Sequence, residues 1–361
     1  MNIVIKKELF YEPISKLSPI SDRKSTMPIL SNLLICFDTD RTSIYASELD
    51  IYAVAYVDYS TEKETKIMIN GKRFFEILKE MGNEDIQLDI QENTVKIKQK
   101  HTEYVFGLQD PYDFPDPAKF EERQEITIDG ATLLEIIDKV GFATSDDETR
   151  HILMGIFLEG RENILTAVGT DGFRMSVLTR EIGGVQDFEG FIIPKKTFND
   201  LYRIINEKDT VKLSIGSNNI KFSTDRIALI SKLIEGVFPN YRNIIPEKNP
   251  YIAQIEKNMF LKSLKKISAI TDKLGFVKME LYNDLMELHG ESDIGSAKEV
   301  LEIKYNGPDN TMNFNIRFLF DVVNHTEGEY ILMKLPEKSG AVLFIGKDDD
   351  TYKNIVMPVR L

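Results

Sequence analysis

The sequence predicts an α+β chain built from three repeated domains, and three observations predict it. Equivalent residues recur about one small domain apart. Asp50, Asp171 and Asp293 are offset by 121 and 122 positions. Lys72, Lys196 and Arg317, each four residues before an acid (Glu76, Asp200, Asp321), are offset by 124 and 121, and the pairs Phe114-Pro115, Phe238-Pro239 and Met357-Pro358 by 124 and 119. Helix-period apolar stripes open each repeat, and hairpin-like strand runs fill the remainder. Units of this size bury their own cores, and threefold repetition multiplies a surface or builds a ring more readily than it makes a catalytic centre.

Each repeat opens with a short strand and then a helix. Phe10, Ile14 and Leu17 have the i, i+4, i+7 spacing of one buried stripe, repeated by Leu133, Ile137 and Val140 and again by Phe260, Leu264 and Ile267. Pro13 inside the first stripe predicts a kink or a late start. Strand runs follow, such as 33–37 with 43–46 and 152–158 with 164–168. A second helix is predicted over 71–81, 194–208 and 315–325. Strand pairs such as 86–90 with 94–98 come next, turned by Asn93 and, in the second repeat, by Gly216-Ser217-Asn218-Asn219. Each repeat therefore reads βαβββ-βαβββ, and so many hairpins predict antiparallel sheets with helices on one face. Charge and proline cluster near 121–125 and 247–250, which divides the chain into 1–122, 123–247 and 248–361.

The net charge of −13 over 361 residues ordinarily repels a polyanion. The charge is segregated, however: the six predicted helices sum to +5, leaving −18 for the rest. The basic side chains on the strongest of them are Lys72, Arg73 and Lys79, then Lys195, Lys196 and Arg203, then Lys262, Lys265 and Lys266. Solvated helix faces favour lysine without any function. Segregation along the whole chain points instead to phosphates accepted in one place only. Arg23-Lys24, in a polar loop, reads either as a solvated turn or as a pair of phosphate contacts.

Enzyme signatures are missing. The sequence has no phosphate loop, dinucleotide turn or nucleophile elbow, and His101, His151, His289 and His325 are scattered. Asp171 reads as a turn residue because its equivalents recur. No cofactor and no metal site are expected. The lone Cys36 suits a reducing compartment, and the absence of a leader-like start or a run of eighteen apolar residues suggests a soluble, cytoplasmic protein without membrane partners.

Six strings then become specific: Thr26-Met27-Pro28-Ile29-Leu30-Ser31-Asn32-Leu33-Leu34, Thr170-Asp171-Gly172-Phe173-Arg174-Met175, Ile192-Ile193-Pro194-Lys195-Lys196, Ile215-Gly216-Ser217-Asn218-Asn219, the run from Ser231 to Arg242, and Val356-Met357-Pro358-Val359-Arg360-Leu361. In order and spacing, from the first helix to the last residue, they resemble the bacterial DNA polymerase III β subunit family of replicative sliding clamps. The resemblance implies a DNA clamp fold of three domains, each with two helices inside and antiparallel sheets outside, in a head-to-tail homodimeric ring. Six helices abreast leave a hole only ~9 Å wide, whereas twelve leave ~28 Å, enough for a duplex roughly 20 Å across. Sequence-independent binding of double-stranded DNA follows, because phosphates carry no base information.

By the same resemblance, Arg23, Lys24 and Arg150 sit where clamps touch DNA. Partners such as the replicative polymerase, the clamp loader and other replication and repair proteins would dock an apolar peptide in a pocket. Its matching positions are Leu153, Thr170, Gly172, Phe173, Arg174, Met175, Pro239, Ile244, Val356, Met357, Pro358, Val359, Arg360 and Leu361, with Arg174 orienting the peptide's polar ends. Phe106, Ile270 and Thr271 match the dimer seam. Phe173 stands where many clamps have histidine, Asn243 where an arginine often follows, and Thr271 where a leucine does, departures that fit a divergent or second copy. The implied protein is non-catalytic, with polymerase activity in its partners. Two other readings remain: a clamp-fold interaction scaffold with weak or lost DNA encirclement, and a DNA-processing enzyme, disfavoured because no cluster of metal-binding carboxylates and histidines is visible.

Overall fold

The computed structural model describes residues 1–21, 27–117, 120–185, 187–271 and 275–359. The first repeat runs β1 (Asn2–Lys6), α1 (Lys7–Ser21), β2 (Asn32–Phe37), β3 (Thr42–Glu48), β4 (Ile51–Val57), β5 (Thr65–Asn70), α2 (Gly71–Glu80), β6 (Asp85–Ile90), β7 (Thr94–Gln99) and β8 (Thr102–Gly107). The second runs β9 (Gln124–Asp129), α3 (Gly130–Gly141), β10 (Gly155–Arg161), β11 (Ile164–Thr170), β12 (Arg174–Glu181), β13 (Phe188–Pro194), α4 (Lys195–Ile204), β14 (Thr210–Ile215), β15 (Asn219–Ser223) and β16 (Ile227–Lys232). The third runs β17 (Tyr251–Glu256), α5 (Lys257–Ser268), β18 (Phe276–Tyr282), β19 (Leu285–Ser292), β20 (Gly295–Glu302), β21 (Lys304–Tyr305), β22 (Asn310–Asn315), α6 (Ile316–His325), β23 (Tyr330–Leu335), β24 (Val342–Gly346) and β25 (Asp349–Val356). The doubled βαβββ order holds in all three, with the short β21 added in the third.

The predicted stripes are the buried ones. Phe10, Ile14, Leu17, Val140, Phe260, Leu264 and Ile267 are fully enclosed and Leu133 and Ile137 nearly so, each large side chain contributing about 1.5–3 kcal/mol of apolar burial. Phe10 meets Phe37 of β2 at 6.0 Å and Phe74 of α2 at 6.4 Å between ring centroids, both edge-on. Helix α1 begins ahead of Pro13 and carries Pro19 as well. The late start that Pro13 suggested therefore does not occur. Side chains cap the second helices of the first and third repeats: Asn70 accepts from the Arg73 amide at 3.0 Å and Asn315 from the Arg317 amide at 2.9 Å.

Compactness cuts across the repeats. One unit comprises Met1–Leu134 and Lys196–Leu233, the other Glu135–Lys195 and Ile234–Leu361. In the first unit the sheets are β1-β6-β7-β8 and β5-β2-β3-β4-β16-β15-β14-β9; in the second they are β20-β19-β18-β22 and β13-β10-β11-β12-β25-β24-β23-β17-β21. Two rules generate all four, apart from the short β21 added beside β17. Within a repeat, the first strand of each half joins the three-strand meander of the other half, as β1 joins β6 and β5 joins β2. Between repeats, the last strand of a first half pairs antiparallel with the last strand of the next repeat's second half: β4 with β16, and β12 with β25. Among the described residues, no helix is long and apolar enough to cross a membrane.

Candidate partner pocket and nucleic-acid interface

The turn between β11 and β12 is held by its own side chains. Asp171 Oδ1 accepts the amides of Phe173 and Arg174, both at 2.9 Å, and the Thr170 hydroxyl donates to the Arg174 carbonyl at 2.7 Å while accepting from the Gly172 amide at 3.1 Å. Gly172 sits at φ 88°, a left-handed conformation that favours glycine. Asp171 is thus the turn residue expected of it, as are Asp50 and Asp293 in the equivalent β3–β4 and β19–β20 turns. The turn aims Phe173 outward, 54% exposed, with the Arg150 guanidinium 5.3 Å from its ring centroid and bonded to the Asp171 carbonyl at 3.1 Å.

Strand β25 runs beside β12 and its end closes the same site. The Met357 amide donates to the Phe173 carbonyl at 2.9 Å, and the Val359 amide to the Asn313 carbonyl at 2.7 Å. On the sheet face opposite the helices, Leu153 and Met175 join Phe238, Tyr241, Leu343, Ile345 and Ile355 in one apolar cluster. Pro239 follows Phe238 directly, and Ile244 and Met357 keep exposed apolar surface. Gly172, Phe173, Met175, Met357, Pro358 and Val359 therefore stand where β12 starts and β25 stops, Leu153 shares their apolar cluster, and Pro239 and Ile244 come from the segment whose Phe238 and Tyr241 join that cluster, apolar surface suited to a peptide.

Three expectations need correction. Arg174, 12% exposed at its side chain, spends its nitrogens inside the chain: Nε on Asp171 at 3.0 Å, Nη1 on Asp321 and Nη2 on the Phe142 carbonyl at 2.8 Å. Its guanidinium also lies 4.5 Å from the Phe318 ring centroid and 5.3 Å from that of Phe142, so it braces the site rather than orienting a peptide. Val356 pairs with Arg174 across the β12–β25 ladder and is fully buried in the helix-side core, because alternate strand residues face opposite ways. Thr271 is already covered by its own domain, where a Cβ on Gly290 would approach its Cγ2 to 2.8 Å. Arg360 and Leu361 lie outside the described residues.

Sequence reasoning missed Phe142, Phe318 and His325. The Phe142 and His325 rings stack at 4.2 Å, and His325 Nδ1 lies 2.7 Å from the Asp321 carbonyl oxygen. The recurring basic-acid pair had flagged Asp321, but nothing local in sequence links it to Arg174.

Of the expected DNA contacts, Arg23 and Lys24 lie outside the described residues. Lys72, Arg73 and Lys79 on α2, Arg203 on α4, and Lys262, Lys265 and Lys266 on α5 are exposed. Several are engaged by acids: Arg73 with Glu76 at 3.1 Å, Lys266 with Glu299 at 2.9 Å, Lys195 with Asp146 at 2.7 Å and Lys196 with Asp50 at 3.2 Å. Arg150 sits on the Phe173 turn. Not every helical cation is available, since Lys7 and Lys139 are buried; Lys139 lies between Glu135 at 3.0 Å and Glu327 at 2.7 Å. The strand pairing also assembles a histidine-carboxylate group that spacing concealed, Glu280, Glu287 and His289, whose ligand atoms lie within 4.8 Å of one another. Its carboxylates are already answered by Lys278 at 2.7 Å, Lys298 at 2.6 Å and the Tyr282 hydroxyl.

Comparison with known proteins agrees with this geometry. Family models for the DNA polymerase III beta subunit match in series: the N-terminal domain over 1–117, the central domain over 127–240 and the C-terminal domain over 242–360. Beta sliding clamps of Caulobacter vibrioides and Pseudomonas aeruginosa are 27% and 25% identical, with full coverage of both chains. The crystal structure of the Pseudomonas aeruginosa DNA polymerase III subunit beta, 23% identical, superposes with a TM-score of 0.95 over all of both chains, as does that of the same organism's sliding clamp bound to griselimycin. The Thermotoga maritima beta subunit, 24% identical, gives 0.93 over 100% of this chain and 99% of its own. With three consecutive domain models spanning nearly its whole length, the chain belongs to the DNA polymerase III beta subunit family of sliding clamps.

Proposed function

We propose that two copies of this chain close head to tail around duplex DNA and tether a replicative polymerase and other DNA-processing proteins through the pocket at the Phe173 turn. One observation carries the ring. The pairing rule that joins β4 to β16 and β12 to β25 leaves, among the described residues, two meander-ending strands unpaired: β20, from a first half, and β8, from a second half. Applied once more, the rule pairs β20 of one copy with β8 of another. An unpaired strand edge is a template for such an addition. Both edges carry an exposed β-branched residue, Val105 on β8 and Val300 on β20, and Phe106 is on the first of them. Applied at both ends of both copies, the same rule closes the assembly after six domains.

Inside the ring, the exposed cations of α2, α4 and α5 neutralise phosphates without reading bases, while the acidic remainder discourages DNA elsewhere. The three-domain division at 1–122, 123–247 and 248–361 follows the repeats, and polymerase chemistry belongs to the tethered partners. The griselimycin complex of the Pseudomonas aeruginosa clamp supports a ligand pocket on this fold. The protein loaded on nicked circular DNA should stay bound through gel filtration and be lost once the circle is linearised. Equal retention on both forms would refute encirclement.

A further inference from the structure

We infer that Glu159 is a positioning residue for the partner pocket, setting the place of the segment that supplies Pro239 and Ile244; this rests on the pocket reading above. That segment, residues 234–249, has little regular structure of its own. Its ends are tied by backbone and amide bonds, Ile234 to the Ile192 carbonyl at 2.9 Å and Asn249 Nδ2 to the Lys334 and Ala341 carbonyls at 2.8 and 3.1 Å. Between them two anchors stand on one face of β10. Phe157 stacks on Phe238 at 4.8 Å, and two residues along, Glu159 accepts the Tyr241 hydroxyl and the Arg242 guanidinium. Pro239 and Ile244 lie within three residues of these anchors.

The two anchors differ in kind. Ring stacking tolerates a slide, and cavities of about 780 and 340 Å³ share Glu159, Arg161, Tyr241 and Arg242 in their walls, so packing alone leaves room for one. Glu159 is only 4% exposed. Any slide that strips away Tyr241 and Arg242 takes both hydrogen-bond donors from a buried carboxylate and leaves it only Arg161 at 3.9 Å, which costs more than a shifted apolar contact. Burial and the bond to Glu159 in turn raise the Tyr241 phenol's pKa above its usual value, keeping it a donor. Glu159 thereby gives an irregular segment a single register.

The test is titration calorimetry with griselimycin on the full chain. Glu159→Ala should weaken binding at least tenfold at a temperature where it remains folded, and Glu159→Gln, which keeps an acceptor for Tyr241, should fall between it and wild type. Leu281→Ala, in the core of the third repeat, serves as a control of lowered melting temperature. If Glu159→Ala binds like wild type, or if the control weakens binding as much for an equal melting loss, the positioning role is overturned. Should Glu159→Ala fail to fold, Glu159→Gln decides by the same criterion. A wild-type chain that ignores griselimycin would instead remove the pocket reading, and this role with it.

Discussion

Arg174 and Asp321, 147 positions apart, are joined side chain to side chain, the Nη1 group of the first donating to a carboxylate oxygen of the second. The bond ties the start of β12 to α6, and the same guanidinium holds Asp171 and the Phe142 carbonyl. A planar fork with fixed directions suits this job; an ammonium does not. Arg174→Ala should lower unfolding stability by about 2 kcal/mol, because Asp171, the part-exposed Asp321 and the Phe142 carbonyl each lose a charged donor. Arg174→Lys should recover only part of that, as judged from urea midpoints of the three proteins. Equal midpoints for Arg174→Ala and wild type would show that the network contributes nothing.

A second network predicts acid sensitivity. Burial tends to raise the Glu135 pKa, but hydrogen bonds from Arg180 and Lys139 outweigh it and hold the carboxyl below its ordinary range. A folded-state pKa below the unfolded one adds stability that is present above the unfolded value, about 4.3, and is lost as pH falls through the folded one. Melting temperature should therefore drop as pH is lowered from about 5 to 3, and Glu135→Gln should be less stable at pH 7 with a shallower acid slope. Parallel slopes for the two proteins would exclude Glu135 as a source of the effect.

How much of this was legible in the sequence depends on range. The helices were readable to within a few residues because Phe10, Ile14, Leu17 and their repeats report a local period, and the doubled βαβββ order follows from local turn chemistry. Strand exchange between halves is not local. Nothing near β1 states that it joins β6 across two helices and four further strands, and nothing near β20 states that its edge is left open. The site divides likewise: Gly172 and Asp171 announced a turn, whereas the bracing of Arg174 by Asp321 and the bond of Glu159 to Tyr241 exist only after long-range pairing. Reading Val356 to Leu361 as one pocket wall failed because strand alternation sends Val356 to the opposite face.

The open strand edges predict the oligomeric state. Val105→Asp or Val300→Asp places a carboxylate on one edge of the proposed seam, where desolvation would oppose pairing. Sedimentation should show wild type as a dimer at micromolar concentration and either variant shifted toward monomer, with the melting temperature of the isolated chain little changed because both residues are already exposed. A monomeric wild type across the accessible concentration range would remove β8–β20 pairing as the seam.

Salt dependence separates phosphate binding from mere charge decoration. If Lys262, Lys265 and Lys266 each displace about one counterion from duplex DNA, the slope of log affinity against log salt should shrink by up to ~2.7 when all three become alanine, at about 0.9 per phosphate. The loss should be the same for unrelated duplex sequences, since these contacts carry no base information. Lys266 should contribute least of the three, because Glu299 at 2.9 Å already shields its charge and must be released before a phosphate is engaged. Lys266→Ala alone should therefore change the slope by less than Lys262→Ala or Lys265→Ala, and a triple variant with the wild-type slope would show that α5 does not face the DNA.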